Sequence, residues 1–136
     1  MSILLKNATI VDGKSNLNFK TKDILINDGD IVDIADTINT KASQTIKLEN
    51  LHVSRGWMDT SVCFGEPGFE ERETILNGLK TAASSGFTSI LLNPNCDPAI
   101  DNHSSIEFLK RKSAETTTEI YPIGSLTNNS KGEELA

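Results

Sequence analysis

From the N-terminus to about residue 53, apolar residues come in short aliphatic or β-branched runs broken by polar turns. Ile3-Leu4-Leu5 leads into Ala8-Thr9-Ile10-Val11, which Asp12-Gly13 closes. Asp23-Ile24-Leu25-Ile26 and Ile31-Val32-Asp33-Ile34 flank Asn27-Asp28-Gly29-Asp30. An Asp-Gly pair between such runs predicts a tight hairpin, because glycine takes positive φ without steric cost. Thr45 to Leu48 and Leu51 to Val53 supply two further strand candidates. Residues 1–54 are therefore expected to form a small antiparallel sheet or sandwich.

The rhythm changes at Trp57. Trp57 to Phe64 is strand-like and runs into a loop at Pro67-Gly68. Thr74 to Ser85 places Ile75, Leu76, Leu79, Ala82 and Ala83 on one helical face, with Gly86 where a left-handed cap belongs. Phe87 to Leu92 is nearly all apolar, as buried parallel strands are. Ser104 with Glu107 fits a capping box for a second helix, whose end Lys110, Arg111 and Lys112 suit. Glu119 to Ile123 is a third strand. The order β-α-β-α-β across residues 55–136 predicts an α/β unit with parallel strands and helical crossovers. Gly132 to Ala136 read as the opening of a helix without an end, so the chain is expected to be a fragment of something longer.

Composition narrows the function classes. Thirteen Lys and Arg against nineteen Asp and Glu give a net charge of −6, which argues against a nucleic-acid partner. A hydrophobic fraction of 37% supports an ordinary core, and no stretch approaches a membrane span. The N-terminus lacks the parts of a secretory signal, so Cys63 and Cys96 are expected as free thiols and the protein as cytoplasmic.

In parallel βα architectures, chemistry gathers at the C-terminal ends of the strands. Asp59 to Thr74 and Asn93 to Asn102 occupy those ends. Period-2 alternation predicts Asp59, Ser61 and Cys63 on one face of their strand, lining the interior, and Met58, Thr60 and Val62 on the other. Asp59 reads as a structural hydrogen-bond acceptor rather than a base, and Ser61 and Cys63 as small residues filling a strand interior. Cys63 and Cys96 end neighbouring strands, so a thiolate metal site is an alternative. His52 and His103 lack ligand spacing, and Glu70, Glu71 and Glu73 read as a solvated helix start.

Gly56 through Thr74, with Glu66-Pro67-Gly68-Phe69-Glu70, then Asn93-Pro94-Asn95 with Pro98 and Asp101, and Pro122 to Thr127, resemble the dihydroorotases of the amidohydrolase superfamily. The opening residues and the Asp28-Gly29 turn are similar to that superfamily's N-terminal β-sandwich segment. The resemblance implies the first βα units of a metal-dependent (β/α)8 barrel, incomplete in this chain. It also implies a zinc-dependent reaction of pyrimidine biosynthesis that interconverts carbamoyl aspartate and dihydroorotate.

The departures bear on that activity. The family's two metal-binding histidines fall on Ser61 and Cys63, and its substrate-binding arginine on Gly65. A hydroxyl is a poor zinc ligand and glycine has no charge to hold a carboxylate, so no metal and no catalytic residue are expected in this chain. Asn95 matches the family's substrate-binding Asn; its other reading is a turn residue that satisfies loop amides. Three roles follow from the resemblance and the losses. One is a dihydroorotase acting on its small-molecule substrate. Another is a non-catalytic scaffold or regulatory partner of aspartate transcarbamoylase, as inactive chains of the family are, or a homo-oligomer. The third is an independent small α/β binding module.

Overall fold

Strand β1 (Ser2–Val11) organises the first unit, Met1–Arg55, of a computed structural model that describes residues 1–136. On one side it pairs antiparallel with β2 (Thr21–Asn27), which turns through Asp28 (φ 49°) and Gly29 (φ 96°) into β3 (Asp30–Ala35). The Asp-Gly hairpin thus forms as its sequence predicts. On its other side β1 pairs with β4 (Gln44–Ile46) and β5 (His52–Ser54), and both run parallel to it. The expectation of an antiparallel sheet is corrected here: the five strands form one mixed sheet. With one edge of β1 taken by β2, the returning chain adds to the free edge, and it does so in the direction of β1.

A bulge explains why that edge strand is broken in two. The register of β1 against β2 shifts between Leu5 and Ala8, where Asn7 has φ 55°. β4 covers Ile3 to Leu5 and β5 covers Thr9 to Val11, leaving the bulge between them. Asp23, 1% exposed, holds it: its carboxylate accepts from the Asn7 and Ile38 amides and from the Lys6 ammonium. Burial alone would raise the Asp23 pKa, but these donors outweigh it and hold the carboxyl below its ordinary range. The bulge also flips the inward face, so Leu5 before it and Ala8 and Ile10 after it reach the same cluster with Ile24.

The second unit, Gly56–Ala136, is a parallel sheet in the order β6 (Trp57–Val62), β7 (Phe87–Leu92), β8 (Glu119–Pro122). Helices α1 (Ile75–Ser84) and α2 (His103–Ser113) make the crossovers. The β-α-β-α-β order is as the sequence predicts. Ile75, Leu79, Ile90, Leu92, Ile100, Leu109 and Ile120 are buried together with Phe64. At about 2 kcal/mol for each fully buried aliphatic chain, this cluster is the main stabilising term of the unit.

Several local expectations change. Thr74 caps α1 by accepting from the Asn77 amide, and Gly86 (φ 89°) ends it. Leu76 lies off the buried stripe, exposed; the stripe runs through Ile75, Gly78 and Leu79. Asn102, not Ser104, caps α2, because its extended backbone aims the side-chain oxygen at the Ser105 amide, 3.0 Å away. Lys110, Arg111 and Lys112 do fall in the last turn. Gly132 to Ala136 are not helical: Gly132 takes φ 77°, and Leu135 forms an antiparallel bridge to Thr127.

Gly78 shows how closely α1 sits on the strand end. A Cβ there would lie 2.3 Å from Cε1 of Phe64. Replacing Gly78 with Ala is expected to lower stability by about 1–3 kcal/mol despite alanine's better helix propensity. Denaturant unfolding checks this; an unchanged or raised midpoint would contradict the packing.

Candidate functional site

A second bulge sets the chemistry at the end of β6. Asp59 pairs with Ile90 and Val62 with Leu92, so Thr60 and Ser61 together stand against Leu91. Asp59, Val62 and Phe64 therefore all line the space beneath α1, beside Gly78 and Ala82. This corrects the expectation that Asp59 shares a face with Ser61 and Cys63. The Asp59 carboxylate accepts from the Ser61 amide at 3.0 Å, the structural role that the sequence assigns to it.

Ser61 and Cys63 meet instead at Asn93, the first residue beyond β7. The Asn93 side-chain amide donates to Ser61 Oγ at 3.1 Å and contacts Cys63 Sγ at 3.6 Å. The Asn93 backbone amide donates to the Val62 carbonyl at 2.8 Å, which fixes the two strand ends together. Asn93 is thus a site residue whose bridging role sequence reasoning missed; its only signal was its place directly after an apolar strand.

The loop after β6 closes on itself. Gly65 is buried with φ 111°, and its carbonyl accepts from the Phe69 amide at 3.1 Å. A Cβ at Gly65 would lie 2.6 Å from the Phe69 carbonyl oxygen and 3.4 Å from Arg72 Cβ. The turn fills the space that a side chain at position 65 would need. Glu66, 11% exposed, accepts from the Ile75 amide at 2.7 Å and pairs with Lys112 at 3.1 Å, so it ties the start of α1 to the end of α2. No spacing in the sequence singles it out. The Asp97 amide donates to the Pro67 carbonyl at 2.9 Å, and a Cβ at Gly68 would lie 2.1 Å from the Asp97 carbonyl oxygen. The two strand-end loops are in backbone contact.

Between these loops lies an open cavity of about 460 Å³ lined by Phe69, Arg72, Asn95, Asp97, Asn129 and Ser130 among others. Asn95 is exposed at its wall, and no hydrogen bond of the loop uses its side-chain amide. The reading of Asn95 as a residue that satisfies loop amides has no support in this geometry. Arg72 lines this cavity with its guanidinium over the Phe69 ring, a position that the acidic run Glu70, Glu71 and Glu73 around it does not predict. Asp101 fixes the cavity's far wall by accepting from the Asn129 amide at 2.9 Å, and that bond holds its carboxyl below the usual carboxylate range.

The two cysteines are free and differ in setting. Cys63 is exposed, whereas Cys96 packs against the core and donates to the Pro98 carbonyl at 3.3 Å. Burial pushes the Cys96 thiol up, and the Asp97 charge adds to this. Ser61 and Cys63 both engage the Asn93 amide, and of the two only the cysteine is a ligand type that zinc prefers. His52 lies in the first unit against the Asn50 carbonyl, and His103 is the exposed first residue of α2.

A family model described as Dihydro-orotase-like matches residues 51–136. Dihydroorotase from Pelotomaculum thermopropionicum is 40% identical over 136 residues, covering 100% of this chain and 32% of that protein. Dihydroorotase from Caldanaerobacter subterraneus subsp. tengcongensis is 37% identical, over 99% of this chain and 31% of that protein. The chain thus spans about a third of the length of the curated relatives it matches. Among solved structures, L-hydantoinase from Arthrobacter aurescens superposes with a TM-score of 0.77 at 21% identity, over 92% of this chain and 28% of that one. A dihydroorotase crystal structure gives 0.65 at 17% identity, over 94% and 32%. At these identities the likeness shows a shared fold. No helix is long and apolar enough to cross a membrane.

Because the turn fills the space at position 65, any side chain placed there is expected to strain the loop. Gly65→Arg and Gly65→Ala are both expected to lose about 1–3 kcal/mol, from positive φ and the clash with Phe69. Denaturant midpoints check this; a Gly65→Arg variant as stable as wild type would contradict it.

Proposed function

Since this chain belongs to the dihydroorotase-like family, we propose that it is the N-terminal portion of a dihydroorotase-like protein of pyrimidine biosynthesis whose strand-end residues no longer perform the hydrolysis. On this reading residues 1–54 are the superfamily's β-sandwich segment, and residues 55–136 are the first βαβαβ portion of its barrel. One observation carries the proposal: the Asn93 amide bridges Ser61 and Cys63 where the family places two imidazoles. A hydroxyl is a poor ligand for zinc, and one cysteine alone does not rebuild a site that two imidazoles would supply.

What the residues do instead is structural. Asn93 locks β6 to β7, Gly65 and Phe69 close the first loop, and Glu66 anchors both helices. Pairing and packing persist where acid–base or metal chemistry would need different side chains. The protein then serves the pathway by binding rather than turnover, as a scaffold or regulatory partner of aspartate transcarbamoylase.

Turnover tests the proposal. The complete protein, assayed on dihydroorotate with zinc supplied, is expected to give no rate above the uncatalysed background. Zinc-dependent turnover that Ser61→Ala or Cys63→Ala abolishes would overturn the reading.

A further inference from the structure

Strand β3 ends the sheet of the first unit, in the order β3-β2-β1-β4, and its ladder is with β2 alone. Such an edge leaves one row of backbone N–H and C=O groups for a further strand. Asp30 to Ile34 are all exposed, and the two faces of β3 differ in chemistry. Ile34 pairs with Ile24 and Ile31 with Ile26, so both stand on the face of the apolar cluster, yet they are 36% and 61% exposed. Unbroken alternation would put residues three apart on opposite faces. Val32 is an extra residue between the pairs Leu25–Asp33 and Ile26–Ile31, and this bulge returns Ile31 to the inner face. With Ile10, Leu17, Ile24 and Val53, the two isoleucines line an apolar groove of about 230 Å³.

The other face of the strand is acidic. Asp33 pairs with Leu25 and Asp30 with Asn27, on the side away from that cluster. Between Lys22 and Lys41 the chain carries Asp23, Asp28, Asp30, Asp33 and Asp36 and no Lys or Arg. Lys6 pairs with Asp23, the N-terminal ammonium with Asp28, and Lys22 with Asp36. Asp30 and Asp33 have no cationic partner. We propose that β3 takes up an extended segment of another polypeptide as an added strand, one that alternates apolar and cationic residues. Its apolar side chains cover Ile31 and Ile34, and its Lys or Arg side chains face Asp30 and Asp33. In such additions main-chain hydrogen bonds supply affinity and alternate side chains supply selectivity. A second copy of this chain is disfavoured, because pairing edge to edge sets the acids of one copy against those of the other. The inference goes beyond the function proposed above: it concerns the first unit and stands whether or not the end of β6 turns over substrate.

Fluorescence anisotropy of the complete protein with a short, end-blocked, labelled peptide of alternating Val and Lys tests the assignment. That peptide is expected to bind, and one of alternating Val and Glu to bind at least about tenfold more weakly. The Val–Lys peptide N-methylated at every residue keeps its charge and loses its amide donors, so it is expected not to bind. Asp30→Asn combined with Asp33→Asn breaks no ion pair; it is expected to weaken binding about fivefold, the scale of two exposed charge pairs, with the thermal midpoint unchanged. No binding of the Val–Lys peptide would overturn the proposal, as would equal binding of the Glu peptide. Undiminished binding of the N-methylated peptide would also overturn it, since charge attraction alone would then suffice, and so would wild-type affinity in the double Asn variant.

Discussion

The strand-end site depends on one steric fact, the closure of the loop after β6 onto Gly65. With φ 111° and the Phe69 carbonyl oxygen 2.6 Å from where a Cβ would stand, this position admits only a hydrogen. The closure turns Phe69 and Arg72 toward the neighbouring loop, and the contact of Gly68 with Asp97 brings the two loops to touching distance. Glu66 then reads both helices at once, one carboxylate oxygen on the Ile75 amide and the other on Lys112. Removing the glycine would move all of these together. The absence of a side chain at position 65 is therefore matched by the conformation of the loop around it.

Much of this was legible from residue patterns. The Asp28-Gly29 turn, the left-handed Gly86 cap and the parallel order of β6, β7 and β8 follow from local chemistry and hydrophobic period. What escaped the sequence lies at the two bulges. Period-2 alternation assumes an unbroken ladder, and it fails after Lys6, where Asn7 takes positive φ, and after Asp59, where two residues face Leu91. Asp59 thereby changes face, and the edge of β1 carries two short parallel strands. Long-range partners were equally invisible: nothing in one dimension ties Glu66 to Lys112, or Asp23 to Asn7 and Ile38.

Family membership and departure are compatible because they rest on different atoms. The shared fold is carried by buried aliphatic residues such as Ile75, Leu79, Ile90 and Leu109, and by glycines at positions where a Cβ collides. Ligand chemistry is carried by a handful of side chains at strand ends, and those can be exchanged without disturbing the core. Ser61 and Cys63 are small, exposed residues that share the Asn93 side-chain amide.

On the proposed function, Asn93 ties Ser61 and Cys63 into a hydrogen-bonded group at the end of β6 in place of a metal centre. Anomalous diffraction at the zinc edge, from crystals of the complete protein grown with zinc, tests it most directly. The expected map shows no anomalous peak within bonding distance of Ser61 Oγ or Cys63 Sγ, with Asn93 still bridging them. A zinc peak bonded to either atom, with the Asn93 amide displaced, would contradict the account.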